Sequence, residues 1–214
     1  MSFRLEAGDA LVVVDVQYDF LPGGALAVPA GNEILPMVNR LVGAFAQAGA
    51  QVVFTQDWHP AGHASFASSH PGKRPFEAIQ LSYGGQILWP DHCIQGTAGA
   101  NLHASLDLDR ANVILRKGAN AEIDSYSAFV EADGRTSTGL AAMLHARKVK
   151  RVFLCGLATD FCVGFSALDA RAAGFETAVI EDACRGIDTD GSLAAALTRM
   201  AAAGVDRLDS RAVL

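Results

Sequence analysis

Cys162 is the first residue whose surroundings suggest chemistry. It follows Gly156-Leu157-Ala158-Thr159-Asp160-Phe161, where an apolar run gives way to the expected start of a helix. Unpaired amides and the helix dipole at such a place favour a thiolate. A thiolate attacks carbonyl carbon well, and the same amides could bind the oxyanion that forms. The alternative is a cysteine that packs the first helical turn. Asp15 ends an otherwise apolar stretch, Ala10–Val16, so its carboxylate needs a partner or caps the loop that follows. Lys117 lies between another buried stretch and Gly118, where a cation also needs company. An Asp15–Lys117 pair would set a proton acceptor and a positive charge beside the thiol. That combination can accept the thiol proton and return it to a leaving amine.

A second group has the composition of a metal site. Asp57-Trp58-His59 places two donors two residues apart, on one side of an extended segment. His92 follows in Trp89-Pro90-Asp91-His92-Cys93. Two histidines and one carboxylate with open positions suit a catalytic Zn²⁺, Fe²⁺ or Mn²⁺; the alternative is ordinary loop histidines. His63 stands four residues after His59, but Pro60 and Gly62 argue against a helix there. It is expected to order the loop or support the ligands, with metal ligation as the alternative. His70, His103 and His145 read as surface or internally satisfied histidines.

These residues need elements to hold them. Ala10–Val16, Gln51–Gln56, Asn112–Arg116, Arg151–Cys155, Glu176–Ile180 and Val205–Leu208 read as six strands. Helical patterns over Asn32–Ala48, Thr138–Arg147, Asp160–Ala173 and Ser192–Ala203 alternate with them. Nearly unbroken apolar strands alternating with helices predict an α/β fold with a parallel sheet covered on both faces. In such sheets ligands bind beyond the carboxyl ends of the strands. Four strands then bring Asp15, Asp57 with His59, Lys117 and Cys162 to one edge. The stretch 57–109 breaks the rhythm with Gly, Pro, His and Ser, and an irregular insertion of that length is usually functional.

Bulk properties narrow the class. The 214 residues fit one domain, 1–214, and at 50% hydrophobic and 19% charged they can bury a core. A net charge of −6 disfavours nucleic acid and anionic membrane surfaces. The N-terminus lacks a signal-peptide pattern, and no apolar run approaches the ~18 residues of a membrane helix. A cytoplasmic location is expected. Cys93, Cys155, Cys162 and Cys184 lack CxxC spacing and read as free thiols, Cys155 as a small buried hydrophobe. Neither GxSxG, GxGxxG nor a Walker sequence occurs, which disfavours a serine hydrolase and a nucleotide-binding module.

Taken in order, these residues resemble the isochorismatase-like cysteine hydrolases, and within them the nicotinamidases. The resemblance is carried by Val14-Asp15-Val16-Gln17-Tyr18-Asp19-Phe20, Gly23–Pro29, Gln56-Asp57-Trp58-His59-Pro60, His63–Ala67, Trp89–Cys93, Lys117-Gly118, Asp124–Phe129 and Gly156–Val163. It implies a six-stranded, Rossmann-like three-layer sandwich. It implies Asp15, Lys117 and Cys162 as a catalytic triad, and an oxyanion hole from the amides of Ala158 and Cys162 after a cis Leu157–Ala158 bond. It implies a substrate pocket of Phe20, Trp89, Tyr126 and Leu157, for whose aromatic rings plain core packing is the alternative. One divalent metal ion per chain would be held by Asp57, His59 and His92, zinc first, with iron or manganese as alternatives. The implied activity is hydrolysis of nicotinamide, and of pyrazinamide, to the acid and ammonia through a cysteine thioester, in NAD salvage. Another small amide or ureido substrate is the alternative, and a vinyl-ether hydrolase that needs no cysteine is a more distant one. The implied partner is the small-molecule substrate, without nucleic acid or membrane; homo-oligomerisation is left open. Phe161 departs from relatives that carry a polar or hydroxylated ring beside the nucleophile.

Overall fold

The computed structural model describes residues 3–214. Six parallel strands form the main sheet: β1 (Asp9–Val14), β2 (Gln51–Asp57), β5 (Val113–Lys117), β6 (Arg151–Leu157), β7 (Glu176–Arg185) and β8 (Asp206–Leu208). Their spatial order is β5-β2-β1-β6-β7-β8. In chain order that is the third, second, first, fourth, fifth and sixth strand. Winding therefore reverses between β1 and β6, and a crevice opens at their carboxyl ends.

The central strands form because the sequence lets them be buried on both faces. Every residue of β1 is buried, and Leu11, Val12, Val13 and Val14 expose no surface. Each such side chain contributes about 1.5–3 kcal/mol relative to full exposure. Helix α1 (Leu35–Gln47) turns Val38, Leu41, Val42 and Phe45 inward and packs on β1, β2 and β7. Helix α3 (Gly164–Ala172) packs on β6, β7 and α4 (Ser192–Ala202). The short helix α2 (Leu140–Ala146) precedes β6 and buries Leu140 and Leu144. No described helix is long and apolar enough to cross a membrane.

Three departures from the sequence expectation bear on the site. Strand β6 runs two residues further, to Leu157, and β7 five further, to Arg185, after a bulge between Leu154 and Gly156. The expected helix from Asp160 begins instead as a π-helical turn, Thr159–Val163, which leads into α3. Such turns concentrate at functional sites. The segment 57–109 is not wholly irregular. It contains an antiparallel hairpin, β3 (Ala78–Leu81) and β4 (Gly84–Ile87), and is stitched down by isolated bridges Gln17–Leu102, His59–Ile94 and Phe66–Trp89.

Candidate active site

Strand register places the first reactive groups. Asp57 and Lys117 are Cα partners at the ends of β2 and β5, and Asp15 follows β1 directly between β2 and β6. Lys117 Nζ lies 2.9 Å from Asp15 Oδ2 and 2.9 Å from Asp57 Oδ1, donates to the Ser125 carbonyl at 2.8 Å, and lies 3.5 Å from Cys162 Sγ. The lysine is 2% exposed and Asp15 is fully buried. Burial alone would push the ammonium down, but the Asp15 and Asp57 carboxylates overcome it and hold Lys117 well above its ordinary range.

Asp15 is held by its backbone and by two side chains. Its backbone is left-handed, with φ 49°. Thr55 Oγ1 accepts from the Asp15 amide at 3.1 Å and donates to Asp15 Oδ1 at 2.5 Å. Asp15 Oδ2 pairs with the lysine charge but has no hydrogen-bond donor in line. It is the one buried side-chain oxygen or nitrogen among the described residues left so. Ligand atoms of Asp15, Asp57 and Cys162 lie within 4.8 Å of one another. Burial raises the Asp15 carboxyl, with the Lys117 charge opposing.

At Cys162 the helix end favours a thiolate and burial opposes it. Cys162 is the fourth residue of the π-helical turn, 7% exposed, and burial pushes its thiol well above the ordinary range. Lys117 pulls it down, but burial and the Asp15 and Asp57 charges prevail. A thiol raised in this way calls for a base, and a carboxylate oxygen of Asp15 lies within 4.8 Å of Sγ.

The donor set of Asp57, His59 and His92 fits a cation. Their ligand atoms lie within 4.8 Å of one another. His59 Nδ1 is 3.0 Å from the Gly118 carbonyl, and His92 Nδ1 is 2.8 Å from the Pro90 carbonyl. Each ring N–H is thereby committed to a backbone acceptor. The bare Nε2 atoms face Asp57 Oδ2, at 3.1 and 3.7 Å. Lone pairs turned on a buried carboxylate oxygen call for a positive charge between them. Gly118 makes room for this arrangement: its φ is 67°, and a Cβ there would lie 2.5 Å from His59 Cε1. His63 has no free nitrogen. Nδ1 accepts from the Ser65 amide and hydroxyl, and Nε2 meets the Asn120 carbonyl at 2.8 Å. It orders the loop.

A small cavity opens over the thiol, lined by Phe20, Leu26, Trp89, Tyr126, Phe161 and Ile187 together with Asp57, His92, Asp124, Ala158 and Cys162. Trp89 meets Phe161 edge-on at 4.9 Å and donates from Nε1 to the Tyr126 hydroxyl at 2.9 Å, fixing two walls. The Leu157–Ala158 bond is cis, and Ala158 lines the cavity. Leu157 is the correction: it is fully buried and faces Gly31, behind the cavity rather than in its wall, because β6 carries it into the core. Asp15, Lys117 and His59 also lie beneath the lining. Sequence reasoning gave no role to Asp124, which accepts from Gln86 Nε2 at 2.9 Å, although its motif was conspicuous. Ile187 gave no signal while β7 was expected to stop at Ile180; the longer strand makes it a strand-end residue.

Comparison with known proteins agrees with this geometry. The isochorismatase domain profile matches residues 9–212. A nicotinamidase of Acinetobacter baylyi is 54% identical over 96% of this chain and 94% of its own. The structure of PnC1 from L. infantum in complex with nicotinate superposes with a TM-score of 0.85 at 41% identity, covering 99% of this chain and 98% of that one. A pyrazinamidase of Pyrococcus horikoshii in complex with zinc superposes with a TM-score of 0.77 at 38% identity, covering 94% and 99%. A match that spans nearly the whole sheet and the crevice at its reversal point makes this chain a member of the isochorismatase family.

Proposed function

We propose that this chain is a nicotinamidase, a single-domain amidohydrolase over residues 1–214 that converts nicotinamide, and its analogue pyrazinamide, to the acid and ammonia in NAD salvage. The observation that carries this is the buried Asp15–Lys117–Cys162 cluster beneath a flat, aromatic-walled cavity. The 54% identical nicotinamidase supports the choice of amide.

The aromatic ring fits between Phe20 and Trp89, with its carboxamide over Cys162 Sγ, so binding becomes positioning. Asp15 takes the thiol proton on a carboxylate oxygen. Sγ attacks the amide carbon, and the amides of Ala158 and Cys162 receive the oxyanion. The protonated Asp15 returns its proton to the nitrogen, the C–N bond breaks and ammonia leaves. Asp15 then deprotonates water, which attacks the thioester, releases the acid and restores the thiol. Lys117 keeps its charge throughout and offsets the negative charge that gathers on Asp15 and the oxyanion.

Asp57, His59 and His92 hold one divalent ion, zinc by preference, with iron or manganese compatible with the same donors. When bound, it supplies a Lewis-acidic centre that orients the ring and polarises water. The four free buried cysteines suit a reducing cytoplasm. The test is ammonia release from nicotinamide with and without a chelator. Turnover that chelation suppresses and metal restores supports the assignment; no release from nicotinamide overturns it.

A further inference from the structure

Asp160 stands two residues before Cys162, on the same π-helical turn, and is 1% exposed. No cation pairs with it among the described residues. Its carboxylate instead gathers the loop after β7: Oδ1 accepts from the Ile187 amide at 3.0 Å, and Oδ2 accepts from the Asp188 amide at 2.8 Å and from the Ser192 hydroxyl. The loop is pressed close there. A Cβ at Gly186 would sit 3.2 Å from Asp160 Oδ1 and 3.1 Å from Leu193 Cδ1. The residue so anchored, Ile187, forms part of the cavity wall with Phe161 and Cys162.

We infer that Asp160 is a positioning residue that fixes Ile187 as a size gauge for the ring of the substrate. One rigid turn then carries both the nucleophile and the anchor of a facing wall, so the gap between them is set by covalent geometry and three hydrogen bonds. The wall rejects ring-substituted amides that the aromatic faces would otherwise accept. This rests on the reading of the cavity as the nicotinamide site.

The test compares kcat/KM for nicotinamide with values for nicotinamides methylated singly at each open ring carbon. Ile187→Ala removes wall and should relieve the penalty against at least one isomer about tenfold, the worth of a methylene or more in an apolar pocket. Asp160→Asn presents a donor where the loop needs acceptors, and should relieve the penalty against the same isomer by about threefold or more. Loss of activity on all amides alike in Asp160→Asn, or unchanged ratios in Ile187→Ala, overturns the inference. Should Asp160→Asn fail to fold, Ser192→Ala removes one donor from outside the turn; relief for that same isomer supports the anchor, and unchanged ratios overturn it. Wild-type protein runs alongside, and only its failure to release ammonia from nicotinamide counts against the functional reading itself.

Discussion

Replacing Lys117 with methionine keeps much of the shape and removes the charge. The wild-type ammonium sits 2.9 Å from each of two buried carboxylates. Without it, Asp15 and Asp57 are two buried carboxylates with no lysine between them. Breaking a buried pair by deleting one partner costs about 3–5 kcal/mol. For a chain of this length each kcal/mol corresponds to about 2–4 °C, so Tm should fall by about 6–20 °C near neutral pH. The deficit should depend on pH with a definite sign. Asp15 is already raised by burial, and losing the lysine raises it further. An acid whose folded pKa exceeds its unfolded value of ~3.9 costs stability above that value, increasingly so up to the folded pKa. The gap between variant and wild type should therefore narrow as pH is lowered from about 8 to about 5. Lys117 itself is raised above its ordinary range, so the stability it gives wild type is lost only in alkali, outside this window. The assay is thermal unfolding of both proteins in the same metal state, followed by circular dichroism. A Tm change below about 2 °C, or a gap that widens on acidification, would refute the buried three-charge arrangement.

Other consequences follow from single contacts. Gly118→Ala should push on His59 and weaken metal binding about 10–100-fold, read by chelator competition; unchanged affinity would show that His59 is free to move. His59→Ala should lose metal and raise KM for nicotinamide together, which metal analysis and kinetics on one sample decide. On the acid side, kcat/KM should fall as the base protonates, with its limb above the ~3.9 of an ordinary aspartate because Asp15 is raised by burial. A limb at or below that value would remove Asp15 as the proton acceptor.

The sheet was legible because its central strands are apolar on both faces, and strand ends then pointed to Asp15, Asp57, Lys117 and Cys162. Interactions with partners remote in sequence were less legible. The β3–β4 hairpin escaped because Gly84 and Gly85 leave its second strand a single β-forming side chain, Ile87. Helix-end arguments also contain no term for burial, which raises the Cys162 thiol. Leu157 entered the pocket through the resemblance alone, and at the end of β6 it packs near Gly31 while Ala158 lines the cavity. Ile187 and Asp160 are joined by hydrogen bonds from a loop 27 residues downstream, and no spacing rule predicts those.

The account's central claim is that Cys162 forms the bond to the substrate. Cys162→Ala, assayed for ammonia release from nicotinamide alongside its metal content and thermal stability, tests this most directly. The variant should keep its metal and its fold while turnover falls by about 10³-fold or more. A folded, metal-loaded Cys162→Ala protein that still releases ammonia at a rate near wild type would contradict it.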